Sequence, residues 1–81
     1  MPTVRRKDGY RFFFFSDEHE PKHIHVERAE IYARVDLERM VITESVRCSG
    51  KERRKILRIC EEYRNEMLEA WNEFFNAENF D

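Results

Sequence analysis

The segment from residue 18 to residue 26, Glu-His-Glu-Pro-Lys-His-Ile-His-Val, contains all three histidines of the chain and two carboxylates. Pro21 restricts the backbone, so an extended strand should begin after it. Side chains alternate between the faces of a strand, which puts His23 and His25 on one face and Ile24 and Val26 on the other. The spacing therefore predicts that two imidazoles share one surface.

Three chemistries suit this histidine pair. His23 and His25, with Glu20 or Glu18 nearby, could ligate zinc, manganese or iron, although a complete site would need His19 or a distant carboxylate as well. The pair could instead act as general acid and base, because imidazole gives and takes protons near neutral pH. A third interpretation gives the histidines a structural role on an outer strand face. We take proton transfer or phosphate contact by the pair as the working hypothesis, with Glu20 orienting one imidazole, and expect no metal and no other cofactor.

Positive charge is concentrated in two stretches, although the formal net charge is only -2. Lys51, Arg53 and Arg54 come early in a predicted helix, where cations oppose the helix macrodipole. Such a cluster, beside outward-pointing N–H groups, suits an anion such as a phosphate chain. A solvated helix face with Glu61 and Glu62 as partners explains the same pattern equally well. The residues predicted to bind nucleic acid are Arg5, Arg6, Arg11, Lys22, Lys51, Arg53 and Arg54.

The composition is typical of a chain that folds and carries a charged exterior, with 40% charged and 14% aromatic residues among 81. Cys48 and Cys60 lack the spacing of a zinc knuckle or a redox pair. A chain with two glycines does not accommodate the usual glycine-rich nucleotide loop. No apolar run is long enough for a signal peptide or a membrane span, so we expect a cytoplasmic protein.

The first half of the chain predicts strands. Residues 3 to 15 predict a β-hairpin that turns at Asp8-Gly9, because glycine tolerates a positive φ. Residues 23 to 28 and 31 to 37 predict a second strand pair, whereas residues 40 to 46 suit either a strand or a turn of helix. The predicted fold is α+β, a single domain over 1–81, with a small antiparallel sheet of four to five strands at about 3–46.

One long C-terminal helix is predicted from about residue 50 to about residue 76, packed on that sheet. Ser49 and Glu52 have the spacing of a capping box at its start. A straight helix of this size would be about 40 Å long, so it either bends or projects towards another chain. Its last turns carry aromatic side chains that suit the core or an interface, and we assign them to partner binding. These residues are Trp71, Phe74 and Phe75.

Four spaced blocks of the sequence match a known family. They are Met1-Pro2-Thr3-Val4, Asp8-Gly9-Tyr10-Arg11-Phe12-Phe13-Phe14, Glu20-Pro21-Lys22-His23-Ile24-His25-Val26 and Leu68-Glu69-Ala70-Trp71-Asn72-Glu73-Phe74-Phe75. Together they resemble a family of small bacterial proteins catalogued as the domain of unknown function number 4160.

The resemblance implies a cytosolic α+β protein that is often encoded beside a second small protein, in pairs thought to behave as toxin and antitoxin. The family's motif falls on Glu20, Pro21, His23 and His25, together with Gly9, Tyr10 and Trp71. The chain departs from the family pattern at Lys22, where a second proline is usual. It also has Arg47-Cys48 where the family tends to carry Gly-Phe before the capping serine.

The leading functional hypothesis is a toxin-like component of a toxin–antitoxin pair, acting on RNA or the translation machinery. His23 and His25 would then serve a metal-independent ribonuclease. Expected partners are a cognate small antitoxin-like protein and RNA, with a homodimer as a further form. The alternative is a non-enzymatic protein-binding module that pairs with another chain through its aromatic hairpin face and helix end. Metal binding by the histidine pair is the third hypothesis.

Overall fold

Five antiparallel strands and two helices make up the computed structural model, which describes residues 3–76 and has the strand order β1-β2-β3-β4-β5. The strands are β1 Thr3–Lys7, β2 Tyr10–Phe13, β3 His23–Arg28, β4 Ile31–Asp36 and β5 Val41–Val46. The helices are α1 Gly50–Glu62 and α2 Arg64–Trp71, followed by a π-helical turn at Asn72–Asn76. The predicted α+β class is confirmed, and the undecided segment from residue 40 to residue 46 contains the fifth strand.

Tight turns set the register of the first two hairpins. Asp8 and Gly9 both have positive φ, 54° and 84°, as a two-residue turn with the twist of the flanking strands requires. Ala29 also has positive φ, 53°, in the turn between β3 and β4. The predicted hairpin at Asp8-Gly9 and the predicted second strand pair are therefore confirmed.

The two faces of the sheet have different surroundings. Phe12 of β2 pairs with Val26 of β3, which pairs with Ala33 of β4, and all three are buried in the core that α1 and α2 cover. The next row consists of Phe13, His25 and Arg34, and the strand period turns it to the opposite face. We call the first side the helix face and the second the histidine face.

The helical segment begins as predicted but is not one helix. Ser49 and Glu52 form a complete capping box, with each side chain accepting from the other residue's backbone N–H. The prediction of a single long C-terminal helix is wrong, because α1 and α2 are separated at Tyr63, whose φ of -108° and ψ of 22° leave the α region. The guanidinium of Arg5 lies 3.9 Å from the Tyr63 ring centroid, and Arg64 Nε donates to the Leu37 carbonyl at 2.8 Å.

Both helices contribute to one core. Met67 and Trp71 of α2 are buried in the same core as Ile56 and Cys60 of α1. Backbone hydrogen bonds from Tyr63 to the Ile59 carbonyl and from Met67 to the Tyr63 carbonyl, both at 3.0 Å, connect the two helices across the irregular residue. Within residues 3–76 no helix is both long enough and apolar enough to cross a bilayer.

The turn between β4 and β5 is organised by a buried carboxylate. Asp36 accepts backbone N–H bonds from Glu38 and Arg39, each at 2.9 Å, and Arg39 Nε lies 3.3 Å from its second oxygen. The hydrogen bond from the Arg39 backbone is the main reason that the pKa of the Asp36 carboxyl lies below its usual range. Burial acts in the opposite direction but has a smaller effect. Asp36 therefore stays ionised and fixes the start of β5.

Two adjacent phenylalanines test the burial of the core. Phe14 is 1% exposed and packs edge-on against Trp71, whereas Phe15 is 41% exposed. We expect Phe14→Ala to lower the free energy of unfolding by about 3–5 kcal/mol, because it removes a buried ring and leaves a cavity. Phe15→Ala should cost about 1 kcal/mol or less. Urea unfolding followed by circular dichroism measures both, and equal losses would contradict the assignment of Phe14 to the core.

Candidate functional site

The loop between β2 and β3 carries a carboxylate onto the histidine face. Glu18 Oε2 accepts the backbone N–H of Phe15 at 3.1 Å, which ties this side chain to the start of its own loop. The loop returns to the sheet through a cis peptide bond between Glu20 and Pro21, and β3 begins at His23. Glu18 is thereby placed over the two histidines of β3.

One oxygen atom joins the site. Glu18 Oε1 lies 2.6 Å from His23 Nε2 and 2.6 Å from His25 Nε2. The three side chains are almost closed to solvent, at 8%, 4% and 6% exposure respectively. Their ligand atoms all lie within 4.8 Å of one another, so these residues are a group that could hold a metal ion. The strand period predicted that His23 and His25 would share a face, and they do.

The other ring nitrogen of each histidine is also occupied. His23 Nδ1 lies 2.7 Å from the Pro21 carbonyl, and His25 Nδ1 lies 2.8 Å from the Tyr32 hydroxyl. Each Nδ1 atom thus has an oxygen partner, and partners of this kind orient an imidazole that ligates a metal through Nε2.

The contact between His23 and Glu18 constrains protonation. A carbonyl oxygen only accepts hydrogen bonds, so His23 Nδ1 must donate to Pro21. In a neutral imidazole Nε2 then carries a lone pair, and it would face the Glu18 oxygen, another acceptor, at 2.6 Å. The contact is favourable only with a hydrogen or a metal ion between the two atoms: a second ring proton, a proton on the carboxyl group, or a bound metal.

The environment favours a carboxylate next to a neutral imidazole. Burial alone would raise the pKa of Glu18, but hydrogen bonds from His25 and His23 outweigh it, and the pKa of this carboxyl lies below its usual range. Burial lowers the pKa of His25, more than the neighbouring carboxylate raises it. Burial raises the pKa of Tyr32, so this phenol keeps its proton. An ionised Glu18 and an uncharged His25 are the forms that bind metals.

Aromatic rings surround the imidazoles and keep out water. The Phe15 ring centroid is 4.5 Å from that of His25, and Phe13 is 5.6 Å away. On the other side, the Trp71 ring of α2 lies 5.1 Å from His23. This apolar surrounding strengthens electrostatic interactions inside the site.

The carboxylate that contacts the histidines is Glu18, whereas the sequence analysis assigned this part to Glu20. Glu20 is exposed, and so is His19, whose side chain is 88% accessible. Sequence reasoning named Glu18 only as an alternative and missed Tyr32. The period of β4 puts Tyr32 and Arg34 on one face, and this alternation was the one signal available for finding them.

The structure separates the predicted cations. Arg6 and Arg11 are cross-strand partners on the histidine face, whereas Arg5 is on the helix face and makes a two-pronged ion pair with Glu66 at 2.7 and 2.8 Å. Arg11 also bonds to Glu27 at 2.9 Å. Half-buried Lys22 lies in the loop before β3. Only some of these cations therefore share a face with the histidines.

The basic start of α1 lies on the helix face. Arg53 and Arg54 line a groove beside β5, and Arg53 donates to the Cys48 carbonyl at 3.1 Å. Lys51 lines a second groove together with Tyr10 and Arg28. Neither groove contains a histidine, so the structure does not bring Lys51, Arg53 or Arg54 to the histidine pair.

The residues predicted to bind a partner pack within the chain. Trp71 is 1% exposed and contacts the Phe14 and His23 rings. Phe74 and Phe75 are partly buried against the same core, with Phe75 5.4 Å from the Phe14 ring. Their first role is to close the end of the core beside the histidine site.

Comparison with known proteins identifies the family. The family described as Domain of unknown function (DUF4160) matches residues 9–72. The chain belongs to this family. The matched region includes Glu18, His23, His25 and Tyr32. It also includes Gly9 and Tyr10, which the sequence analysis assigned to the family's motif. Neither the comparison with curated proteins nor the comparison with solved structures gave a match.

The shared carboxylate predicts unequal effects for two nearby glutamates. Glu18→Ala leaves two buried imidazoles without their acceptor, so we expect it to lower the free energy of unfolding by about 2 kcal/mol or more. Glu20→Ala removes an exposed carboxylate and should change it by less than about 0.5 kcal/mol. Urea unfolding at neutral pH with a chelator present isolates this effect from any metal. A loss in Glu20→Ala as large as in Glu18→Ala would contradict the assignment.

Proposed function

We propose that this domain binds one divalent transition-metal ion through Glu18, His23 and His25. The observation that carries the proposal is the convergence of one carboxylate oxygen and two Nε2 atoms, within 4.8 Å of one another, in a nearly closed site. Two imidazoles and a carboxylate are a common ligand set for zinc, iron and manganese. Burial suits a small ion, because it removes competing water.

The contact between His23 Nε2 and Glu18 also supports a bound metal ion. His23 Nδ1 is committed to the Pro21 carbonyl, so the Nε2 lone pair faces Glu18 unless a second proton or a metal lies there. A metal ion satisfies both Nε2 atoms and the carboxylate at once. The Pro21 carbonyl and the Tyr32 hydroxyl then act as the outer partners that orient the two ligands.

Binding requires a small opening of the site. Ligand atoms about 2.0–2.2 Å from a tetrahedral zinc ion lie about 3.3 Å from one another. The present oxygen–nitrogen separations are 2.6 Å, so the Glu18 oxygen would move outward by less than about 1 Å. Glu18 is on a loop, whereas His23 and His25 are on a central strand. The loop is therefore the part that adjusts.

Three protein ligands leave a coordination position for water or for a substrate, as in catalytic metal sites. The metal would supply Lewis-acid chemistry there, while the chain's own residues hold and orient it. The metal-free ribonuclease mechanism has weaker support, because both Nε2 atoms face the Glu18 carboxylate and neither is free to contact a substrate atom. A general acid or base must reach the atom it protonates.

The metal proposal predicts one ion per chain and a specific pattern of variants. Trp71 is the one tryptophan in the chain, and its ring lies 5.1 Å from that of His23, so bound Cu²⁺ or Co²⁺ should quench its fluorescence. We expect Glu18→Ala and His25→Ala to weaken metal binding by about tenfold or more. Loss of a residue that only orients a metal ligand already weakens binding by about tenfold, and loss of a ligand itself should weaken it at least as much. The competing metal Zn²⁺, which does not quench, should restore the fluorescence.

The matched controls change neighbouring residues of the same types. His19→Ala and Glu20→Ala should leave the Cu²⁺ and Zn²⁺ affinities of the protein unchanged, because both side chains are exposed and neither belongs to the group of Glu18, His23 and His25. Equal weakening in His19→Ala and His25→Ala, or no saturable quenching in the wild type, would overturn the metal proposal.

The second candidate function is that of a toxin-like component that acts on RNA. This candidate function also proposes a cognate antitoxin-like partner and a cytoplasmic location. The position of Arg6 and Arg11 on the histidine face supports it, since a cationic strip beside a metal suits a phosphate backbone. We expect expression of the wild type to arrest growth and the purified protein to cleave RNA, with both activities lost in a folded His25→Ala variant and retained in His19→Ala. Cleavage that is unchanged by a chelator would instead indicate the metal-independent mechanism, and a folded His25→Ala variant with full activity would rule out the site.

A further inference from the structure

Arg34 lies directly opposite His25 across the pairing of β3 and β4. Side chains in directly opposite positions of an antiparallel pair have Cβ atoms about 4.5–5.5 Å apart and lie on the same face. Burial is the main influence on the pKa of both His25 and Tyr32, and the charge of Arg34 acts on both as a smaller influence. Arg34 is therefore a neighbour of His25 on the histidine face.

The Arg34 side chain has an unused donor. Its Nε is buried and has no hydrogen-bond partner within residues 3–76. A buried N–H without a partner is unfavourable, and native proteins rarely leave one unexplained. Arginine donates through a planar fork that matches two oxygens of a carboxylate or phosphate, so an oxyanion would satisfy this group.

Nearby carboxylates do not take this role in the described part of the chain. Glu44 is opposite Arg34 in β5 but is exposed, and no ion pair joins the two. Glu18 is bonded to the imidazoles, and Glu27 is paired with Arg11 at 2.9 Å. The charged groups around Arg34 are thus either engaged elsewhere or in solvent.

We propose that Arg34 binds the oxyanion of a ligand, a phosphate or a carboxylate group, that also occupies the remaining coordination position of the metal held by Glu18, His23 and His25. This inference rests on the proposed metal site and names the chemical class of its ligand. The Arg34 Nε–H would donate to one oxygen of the anion, while another oxygen contacts the metal. Arg34 is then a positioning residue for the ligand and is not a metal ligand.

Phenyl phosphate and benzoate provide the test, because they carry the same ring and differ in the oxyanion. Each is titrated into zinc-loaded protein and into chelator-treated protein, and binding is followed by nuclear magnetic resonance of the histidine and arginine side chains. We expect Arg34→Gln to weaken binding of the preferred anion by about tenfold or more, since a charge-assisted bond is lost. Arg34→Lys, which keeps the charge without the fork, should recover only part of the affinity.

The control Arg58→Gln removes the same charge from the exposed surface of α1 and should leave anion binding unchanged. Metal affinity, measured first by quenching of Trp71, should be the same in Arg34→Gln and the wild type. Equal anion binding in Arg34→Gln and wild type, or no binding of either anion, overturns the inference about Arg34 while leaving the metal site intact.

Failure of the metal site itself gives a different result. A wild-type protein that binds no metal overturns the proposed function, and with it the shared position between metal and anion. Arg34-dependent anion binding in chelator-treated protein would then show an anion site without a metal. A weakened metal affinity in Arg34→Gln would show that Arg34 supports the metal ligands, which also overturns its role as a positioning residue for the anion.

Discussion

The structure of the histidine face depends on a single carboxylate oxygen shared by two imidazoles. A buried carboxylate is expensive unless each of its acceptor positions is used, and Glu18 uses one oxygen for His23 and His25 and the other for the Phe15 backbone. The same contacts attach the loop between β2 and β3 to the sheet. The position of the Glu18 carboxylate, its ionised state and the conformation of the loop between β2 and β3 thus depend on the same contacts.

The small size of the chain explains why this face is closed by a loop. Both helices pack on the helix face, so the opposite face must be covered by the protein's own side chains or remain in water. Phe13, Phe15 and the Glu18 loop supply that cover around His25. The result is a polar site surrounded by aromatic rings, on the face of the sheet opposite to the one that α1 and α2 cover in residues 3–76.

The separation of positive charge follows from the same two-sided architecture. Arg53 and Arg54 of α1 line a groove beside β5 and Lys51 lines another beside Tyr10, whereas Arg6, Arg11 and Arg34 lie on the histidine face. Cations near the start of α1 therefore do not supply charge to the histidine site. Among the arginines of the sheet on this face, Arg34 has a buried donor without a partner in residues 3–76.

The sequence by itself determined what depends on local periodicity: the hairpin turn at Asp8-Gly9, the capping box at Ser49, the α+β class, and a common face for His23 and His25. These follow from backbone sterics and from the period of two along a strand. Only the tertiary structure decided that Glu18 and not Glu20 contacts the imidazoles, and that Tyr32 accompanies His25. It also decided the break at Tyr63, where the Arg5 guanidinium of β1 lies over the Tyr63 ring and the Leu37 carbonyl, just after β4, accepts from Arg64. A loop's path and a helix break depend on partners far away in the chain, and neither propensity nor spacing specifies those.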